Sequence, residues 1–349
     1  MDYKSIITDA NVLYEAYLKA IKNSKWKEST QRSEVNFLSI IFELRRLLLT
    51  EEYHPGKEHR FVTYERGRKR DIASISVEDR TVMHAISDEI YTPRIKQKII
   101  YDNSASVPER GLNFARNRFE VHLHKFYRSH SNNQGYILLG DFSKFYKNID
   151  QTLAKDMLLN LVDHDEYMEY LEDEIFDSFS DGVSIGNQHS QSIGTYYPHR
   201  LDNYVKIVRG FKYYGRYMDD FYVISDSKEE LYELLDDIRI VCSDNHLILN
   251  ESKTRIVPLN RYFTYLQIRY CLTDTGRVIK RINPKRITTM RRKLKSLKSK
   301  IDSGEVDFEY VEQLFRSWMG SFYKLMSKKQ RSNLINLYET TYNTIYEIG

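Results

Sequence analysis

Two adjacent aspartates lie in the middle of an aromatic and β-branched stretch, residues 213–224. The flanking residues favour two strands, so Asp219 and Asp220 are predicted at the tip of a hairpin, where both carboxylates can project into a shared space. Adjacent carboxylates repel unless they are solvated, protonated or bound to a cation. A hard divalent ion such as Mg²⁺ binds one or two carboxylates together with substrate phosphates. A solvated turn is the ordinary interpretation of an Asp-Asp pair, so the rest of the chain must decide.

A third carboxylate follows a buried apolar strand. Residues 136–140 are apolar or small, and Asp141 ends the stretch. A carboxylate at the end of a buried strand needs a partner or a metal. Asp141 is therefore the natural companion of the two hairpin aspartates. Tyr146 lies five residues further on, in the turn that follows.

A second predicted hairpin has cations on its second strand. The sequence from 61 turns around Gly67 and continues with Arg68, Lys69 and Arg70. Three consecutive cations suit a triphosphate, which requires compact positive charge and bidentate guanidinium contacts. A solvated basic turn is the alternative.

Two further basic segments suggest a nucleic-acid backbone as partner. Residues 104–124 contain Arg110 and Arg116 and are interpreted as a loop followed by a basic helix. From residue 284 onwards the chain is predicted to be helical, with an apolar seam surrounded by cations. These cations are Lys285, Arg286, Arg291, Arg292, Lys293, Lys295, Lys298 and Lys300. Such a helix fits phosphates, whereas a membrane-surface helix would have Trp or Phe on its apolar face.

Other segments serve mainly to position these groups. Residues 9–50 are predicted as two helices separated by the polar stretch 22–32, and residues 263–270 as one alternating strand. The acidic helical region 152–180, which includes Glu172, is assigned to a solvated face with no chemistry.

A glycine-rich loop, residues 182–191, leads into a predicted helix. Its glycines and small polar residues would let another molecule approach the backbone closely. His189 within it is interpreted as a bystander in a polar loop.

Composition excludes several classes of protein. The 349 residues are enough for two or three subdomains, and the net charge of +4 does not by itself indicate a polyanion partner. The two cysteines, Cys242 and Cys271, have no metal-type spacing and indicate a reducing compartment. No secretory signal and no apolar run of about 18 residues is visible, so the protein is expected to be cytoplasmic, with no membrane partner.

The order of these motifs resembles that of the reverse transcriptases, and more closely that of the compact bacterial ones. Residues 217–220 read YMDD, which is similar to the family's YxDD motif, and residues 140–146 resemble its first catalytic motif. Residues 185–191 read IGNQHSQ, a form typical of reverse transcriptases of diversity-generating retroelements and their relatives. Residues 263–270 resemble the primer grip, and 283–323 the thumb.

Some features depart from the pattern or narrow it. Ser184 stands where relatives often have proline. The signatures of retron enzymes are not visible, and the chain ends before the DNA-binding and endonuclease parts of many group II intron proteins. The resemblance is therefore to the diversity-generating type or to related defence-associated reverse transcriptases.

The resemblance implies an α+β fold of the right-hand polymerase type, with fingers, a palm whose antiparallel sheet carries the YMDD hairpin, and a helical thumb. The expected division is an N-terminal helical segment at 1–50, fingers at 51–135, palm at 136–282 with the loop and helix at 182–200, and thumb at 283–349. The implied partners are an RNA template, in particular a dedicated non-coding RNA, nascent cDNA and dNTPs. An accessory protein or a second subunit is left open.

The family mechanism assigns roles to individual residues. A primer 3′-hydroxyl would attack the α-phosphate of a dNTP between two Mg²⁺ ions about 4 Å apart, with Mn²⁺ as a substitute. Asp141 and Asp219 would bridge the ions, Asp220 would assist, and the backbone carbonyl of Phe142 would add a ligand. The remaining roles concern the substrates. Arg68, Lys69 and Arg70 would hold the triphosphate, and Tyr146 would exclude a 2′-hydroxyl. Gln191 would position template and nucleotide, and Lys253 would protonate or bind pyrophosphate. The residues that would bind nucleic acid are Arg110, Arg116, Arg291, Arg292, Lys295 and Lys298.

Two other functions remain as alternatives. A guide-binding protein could keep the fold and lose the chemistry, but Asp141, Asp219 and Asp220 are all intact. An RNA-templated RNA polymerase is disfavoured by the bulk of Tyr146. The sequence does not identify the template or how synthesis is primed.

Overall fold

The computed structural model describes residues 1–65 and 68–346, and the side chains of residues 65 and 68–71 are outside that description. The chain forms two compact units. The first unit contains Met1–Phe119 and Ile137–Ile256, and the second contains Glu120–Tyr136 and Val257–Gly349. The fold is a mixed α+β one, as the sequence predicted.

Helices make up most of the first unit. They are α1 (Tyr3–Ile7), α2 (Ala10–Ile21), α3 (Glu28–Val35), α4 (Phe37–Thr50), α5 (Val77–Ala85), α6 (Thr92–Lys98), α7 (Leu112–His130, which ends in the second unit), α8 (Gln151–Leu159), α9 (Glu166–Asp177), α10 (Gln188–Tyr196), α11 (His199–Asn203) and α12 (Lys228–Asp244). A π-helical turn, Ile86–Tyr91, joins α5 to α6, and another, Tyr204–Val208, follows α11. The apolar faces of α2 and α12 are buried. The stretch predicted as a polar separator contains the start of α3, so that part of the prediction is wrong.

Two sheets accompany these helices. A two-stranded antiparallel hairpin pairs β1 (His59–Glu65) with β2 (Arg68–Ser74). A four-stranded sheet has the order β4-β5-β3-β6. Its strands are β3 (Tyr136–Asp141), β4 (Tyr213–Tyr217), β5 (Asp220–Ser225) and β6 (Arg255–Pro258). Pairing of Tyr213 with Ile224 and of Tyr217 with Asp220 confirms the predicted hairpin.

The centre of the four-stranded sheet is apolar and closely packed. Strand β3 is buried from Ile137 to Asp141, and β5 from Phe221 to Ser225. A Cβ added to Gly140 would lie 2.1 Å from the ring of Phe221, so only glycine fits beside that ring. The packing of β3 against β5 thus requires a glycine at position 140, next to Asp141.

The second unit has a three-stranded antiparallel sheet and a helical cluster. The sheet has the order β7 (Phe263–Tyr265), β8 (Ile268–Leu272) and β9 (Val278–Ile282). The helices are α13 (Pro284–Asp302), α14 (Phe308–Phe322) and α15 (Lys328–Tyr342). Their shared core includes Met290, Leu294, Phe315 and Tyr338.

The prediction of one strand over residues 263–270 is wrong. Leu266 and Gln267 have φ values of 41° and 73°, and they form the turn of a hairpin between β7 and β8. Two consecutive residues with positive φ suit the right-handed twist of such hairpins. The alternating pattern is the same on both strands of a hairpin, so it did not reveal a turn that lacks glycine.

Among the described residues, no helix is long and apolar enough to cross a membrane. The predicted limits of fingers, palm and thumb stay a prediction.

Candidate active site

Asp141 ends β3, where its side chain is 7% exposed. Lys253 places its ammonium Nζ 2.8 Å from Oδ1 and 2.5 Å from Oδ2 of this carboxylate. Asn250 donates from Nδ2 to Oδ2 at 3.0 Å, and its backbone N–H donates to the Asp141 carbonyl oxygen at 2.7 Å. A buried carboxylate is therefore compensated by one cation and one amide.

The hairpin tip lies beside the end of β3. The backbone N–H of Phe142 donates to the carbonyl oxygen of Asp219 at 3.2 Å, so the residue after Asp141 is hydrogen-bonded to the first hairpin aspartate. Met218, at the tip, has φ of 54°, a left-handed conformation that is uncommon for a residue with a side chain. Asp219 and Asp220 are half-buried. The structure thus places the end of β3 beside the hairpin tip through the backbones of Phe142 and Asp219. The joint role of Asp141 and Asp219 stays a prediction.

The chemistry of these donors fits a hard divalent cation. Carboxylate oxygens at the end of β3 and at the hairpin tip are the ligands that Mg²⁺ prefers. The ammonium of Lys253 already stands against both oxygens of Asp141, and a positive charge is therefore accommodated there. Across residues 1–65 and 68–346, no group of three or more His, Cys, Asp or Glu side chains has a metal-binding arrangement. Mg²⁺ does not require one, because it usually binds one or two carboxylates and completes its shell with waters and phosphates.

Tyr146 lies within this site, on the 3₁₀ turn Phe145–Asn148 that follows β3. Its hydroxyl donates to the sulfur of Met218 at 3.7 Å. Burial, and then the nearby negative charge of Asp219, raise the pKa of this hydroxyl well above its usual range. A Cβ on Gly194 of α10 would come within 3.0 Å of the Tyr146 hydroxyl, so the helix approaches the ring closely at that glycine. Tyr146 is a neutral, half-buried side chain between α10 and the hairpin tip.

The glycine-rich loop is packed against the chain's own backbone. Gly182 has φ of 56°, and a Cβ there would meet the Tyr146 carbonyl oxygen at 2.2 Å. Gly186 has φ of 133°, and its Cβ would lie 2.8 Å from the Ala73 carbonyl oxygen of β2. The expectation that these glycines admit another molecule is therefore wrong, because the protein itself occupies the space.

Gln191 lies on the first part of α10 and is exposed. Asn187 caps this helix, since its side chain accepts a hydrogen bond from the Ser190 backbone N–H at 2.7 Å. The Gln191 side-chain oxygen accepts a hydrogen bond from the Ser106 hydroxyl at 3.1 Å. Helix α10 thus carries Gln191 and also contacts Tyr146 through Gly194. Within the described part of the chain, no hydrogen bond joins the side chains of Gln191 and Tyr146.

The triphosphate ligands predicted at Arg68, Lys69 and Arg70 lie outside the described side chains, as does the turn at Gly67. The backbone of β2 is described, and the Ala73 N–H donates to the Ile185 carbonyl oxygen at 3.3 Å. The basic strand is therefore joined to the glycine-rich loop that precedes Gln191.

The predicted nucleic-acid contacts fall into two groups. Arg110 donates to the Asn103 carbonyl oxygen at 2.9 Å and lies over the ring of Tyr101, while Arg116 is half-buried. On α13, Arg291, Arg292 and Lys295 are exposed, and no carboxylate within the described part of the chain pairs with them. Lys298 pairs with Asp302 at 2.7 Å.

Sequence reasoning missed a buried polar cluster. Glu172, assigned to a solvated face, is fully buried, and so is His189, taken for a loop bystander. The Glu172 carboxylate accepts from the Tyr91 hydroxyl at 2.8 Å and lies 3.0 Å from Nε2 of His189. Both expectations are corrected, since the partners come from distant parts of the chain. The spacing of Tyr167, Met168, Leu171 and Ile175 was the available signal, because it places Glu172 on the apolar side of α9.

Sequence reasoning also missed Asn250 and Arg216. Asn250 contacts Asp141 directly, and its position three residues before Lys253 was the only signal. Arg216 is 1% exposed and interacts with the hairpin tip through Met218. A charged residue within a run of aromatic strand residues could have suggested a buried ion pair.

Comparisons with known proteins bear on the family and the fold of the chain. The family described as "Reverse transcriptase (RNA-dependent DNA polymerase)" matches residues 57–270. A comparison with curated protein sequences finds no match.

Solved structures of telomerases are similar to the chain. Telomerase from Candida albicans, in complex with a fragment of telomeric RNA, has a TM-score of 0.51 and 10% identity, covering 84% of this chain and 59% of that one. Apo telomerase from Candida tropicalis has a TM-score of 0.46 and 14% identity, covering 64% of this chain and 48% of that one. A form truncated from its C-terminal domain has a TM-score of 0.49 and 14% identity, covering 65% of this chain and 55% of that one. The chain thus spans about half to three fifths of these proteins. At such identity the Candida albicans match concerns the fold alone, and it confirms the predicted right-hand polymerase fold class.

Proposed function

The chain belongs to the reverse transcriptase family, and from that premise we propose that it is an RNA-directed DNA polymerase that extends a primer with dNTPs on an RNA template. The observation that carries the proposal is the hydrogen bond from Phe142 N–H to the Asp219 carbonyl oxygen, which joins the end of β3 to the tip of the YMDD hairpin. Through it, residues 140–146 and the YMDD hairpin, which resemble the family's catalytic motifs, lie together at one end of the inner strands β3 and β5.

Asp141 and Asp219 would hold the divalent ions, with Asp220 and the Phe142 carbonyl as additional ligands. Bound Mg²⁺, or Mn²⁺ in its place, would supply Lewis-acid stabilisation of the attacking and leaving oxygens of the transferred phosphate. The half-buried side chains of Asp219 and Asp220 remain accessible to a substrate phosphate, whereas the enclosed Asp141 is held in place by Asn250.

Lys253 has a role that depends on charge balance. Its ammonium neutralises Asp141 in the free protein. When cations and nucleotide bind, the same ammonium would be released towards the developing negative charge of pyrophosphate, which it would bind or protonate. A flexible lysine suits such a move, because its charge is a point on a four-carbon stem.

The other substrate groups would be recognised by shape and charge. Tyr146, fixed between Gly194 and Met218, would exclude a ribose 2′-hydroxyl. Gln191 would position template and nucleotide, and Arg68, Lys69 and Arg70 would hold the triphosphate. Arg110, Arg116 and the α13 cations Arg291, Arg292, Lys295 and Lys298 would bind nucleic-acid phosphates.

We further propose that the protein is a bacterial reverse transcriptase of the diversity-generating type or a defence-associated relative, working in the cytoplasm. The IGNQHSQ form of residues 185–191 supports this subtype. Its template would be a dedicated non-coding RNA and its product a cDNA, with an accessory protein or second subunit where the system has one. Sequencing the cDNA bound to the purified protein would identify template and priming site together, and random cellular priming would count against a dedicated RNA.

The polymerase proposal is tested by primer extension on an RNA template with Asp219→Ala. Losing a metal-binding carboxylate removes several kcal/mol of transition-state stabilisation, and we expect extension to fall roughly 100-fold or more. Asp244→Ala, which removes an exposed carboxylate from the end of α12, is the matched control and should extend as the wild type does. Equal extension by Asp219→Ala and wild type would show that the proposed mechanism is wrong.

A further inference from the structure

Arg216 is a fully buried charge two residues before the tip of the YMDD hairpin. Its side chain and that of Asp202 on α11 are both 0% exposed. The guanidinium donates from Nε to Asp202 Oδ1 at 2.8 Å and from Nη2 to Oδ2 at 2.7 Å. The Tyr214 hydroxyl also donates to Asp202 Oδ1, at 2.6 Å. This is a two-pronged, fully desolvated ion pair with a third hydrogen bond.

The remaining guanidinium donors reach two backbone carbonyls. Nη1 donates to the Met218 carbonyl oxygen at 3.0 Å, and Nη2 donates to the Thr195 carbonyl oxygen at 2.9 Å. Met218 is the residue with φ of 54°, and its carbonyl belongs to the peptide bond that leads into Asp219. One planar group therefore binds the peptide that orients Asp219 and also the last turn of α10, the helix that contains Gln191.

The backbone of Arg216 is held as well. Its N–H donates to the Asp102 carbonyl oxygen at 3.1 Å, and its carbonyl oxygen accepts from the Ser104 N–H at 3.2 Å. Asn103 between them donates from Nδ2 to the same Thr195 carbonyl oxygen, at 3.1 Å. Strand β4 is thus hydrogen-bonded on its outer side to the parallel segment 102–104, which fixes the backbone position of Arg216.

Stability does not explain this arrangement. Desolvating two charges costs several kcal/mol for each ion, and apolar residues of similar volume often replace a buried pair with no loss of stability. What apolar residues cannot do is donate a hydrogen bond to the Met218 carbonyl and hold a strained peptide in one orientation. We propose that Arg216, oriented by Asp202, is a positioning residue that holds the Met218–Asp219 peptide in its left-handed turn and keeps the hairpin tip in register with α10.

The inference rests on the proposed polymerase function, because it concerns the orientation of the Asp219 carboxylate. Arg216 is buried and touches no substrate, so it acts only through Met218, Thr195 and Asp202. A misplacement of about 1 Å at a reacting group can lower a rate on the order of 100-fold. We therefore expect an effect on kcat and on metal binding, with the KM for primer–template unchanged.

The experiment compares two variants that affect folding differently. Arg216→Lys keeps the charge beside Asp202 but loses the fork, so one ammonium cannot reach both carboxylate oxygens and both carbonyls. The triple variant Arg216→Met, Asp202→Leu, Tyr214→Phe removes the pair and its hydroxyl partner together and leaves no uncompensated side-chain charge. Arg209→Met, which breaks the Arg209–Asp237 ion pair elsewhere in the same unit, is the matched control.

Thermal unfolding, kcat, KM for primer–template and Mn²⁺ binding by electron paramagnetic resonance are measured on each protein. We expect the triple variant to unfold within a few degrees of the wild type, while kcat falls about 10- to 100-fold and Mn²⁺ binds several-fold more weakly. Arg216→Lys should likewise keep its thermal stability while kcat falls and Mn²⁺ binds more weakly. Arg209→Met should keep the kcat of the wild type.

Two outcomes separate the inference from the proposal beneath it. A triple variant with wild-type stability, kcat and Mn²⁺ binding would overturn the positioning role, while an inactive Asp219→Ala protein measured beside it would leave the polymerase function standing. An active Asp219→Ala protein would remove the polymerase function itself. If the triple variant does not fold, Arg216→Lys with a wild-type kcat and Mn²⁺ affinity overturns the role by itself.

Discussion

Individual acidic residues in this site differ mainly in how their charge is compensated. Asp141 is almost fully enclosed and depends on Lys253 and Asn250, whereas Asp219 and Asp220 are half-buried at a hairpin tip. The sequence singled out the three aspartates as candidate metal ligands, because two motifs at the ends of predicted strands contain them, and that assignment stays a prediction. Asn250 could not be selected in this way, since its contact with Asp141 joins residues 109 positions apart.

Lys253 leads to a prediction in which metal affinity and activity change in opposite directions. Its ammonium occupies both oxygens of Asp141, so it competes with any cation that binds there. We expect Lys253→Met to bind Mn²⁺ several-fold more tightly in the absence of nucleotide, measured by electron paramagnetic resonance, and to extend primers more slowly. Lys155→Met, which removes a 2.5 Å ion pair with Asp173 on α8 and α9, is the control and should change neither quantity. Unchanged Mn²⁺ affinity in Lys253→Met would contradict competition at Asp141.

Tyr146 leads to a prediction about sugar selection. Its ring is held between Gly194 and Met218, so it cannot easily move aside for a 2′-hydroxyl. We expect Tyr146→Ala to raise ribonucleotide incorporation relative to dNTP about 10- to 100-fold, since steric discrimination of a small group is of this size. Tyr146→Phe keeps the ring and should keep the selectivity. The measurement is the ratio of kcat/KM for dNTP and NTP on one RNA template, and an unchanged ratio in Tyr146→Ala would remove the gate role.

At the scale of elements, α10 and α11 connect the parts of the site. Helix α10 carries Gln191, approaches Tyr146 at Gly194 and offers its Thr195 carbonyl to Arg216. The helix itself was predictable from the cap at Asn187 and the sequence that follows. Its link to the hairpin was not, because it runs through the Arg216 side chain, which no local pattern relates to α10 or α11.

The junction between α10 and α11 leads to a pH prediction. Burial, partly opposed by a hydrogen bond to the Tyr196 carbonyl oxygen, lowers the pKa of His199 to about 4 from its ordinary value of 6.5. The folded protein therefore keeps this imidazole neutral, and the unfolded chain binds more protons between pH 6.5 and 4. The stability is fully present above pH 6.5 and is lost as the pH falls through that window.

We expect the free energy of unfolding to decrease by about 1–2 kcal/mol between pH 7 and pH 5 through His199. His199→Gln should lose that part of the pH dependence, as measured by chemical denaturation at the two pH values. His164→Gln, at an exposed histidine, should keep the dependence of the wild type. Parallel pH dependence in His199→Gln and wild type would contradict the assignment.

For the whole molecule, the distribution of charge matters more than the net value of +4. The second unit places Arg291, Arg292 and Lys295 on the exposed side of α13, opposite the buried Met290, Leu294 and Leu297. The helical pattern predicted this arrangement, because the apolar seam determines where the cations must lie.

The exposed cations lead to a prediction about salt. Each cation that neutralises a phosphate contributes about 0.7 to 0.9 to the steepness of the fall in log affinity with log salt. We expect Arg292→Gln with Lys295→Gln to weaken primer–template binding and to reduce that steepness by about 1.4 to 1.8, measured by fluorescence anisotropy. Lys328→Gln with Lys329→Gln removes the same charge from the start of α15 and is the control. Equal slopes in the two double variants would argue that α13 has no particular role.

The sequence by itself determined most helices, the hairpin of β4 and β5, and the choice of Asp141, Asp219 and Asp220 as candidate metal ligands. These features depend on local periodicity, capping and short motifs, which act over a few residues. Tertiary structure alone decided the ammonium on Asp141, the turn inside 263–270, the burial of Glu172 with His189 and the link from Arg216 to Met218. Each of these depends on groups far apart in the chain or on a backbone conformation that no residue type requires. Their energies come from desolvation and hydrogen-bond geometry, which only the packed chain defines.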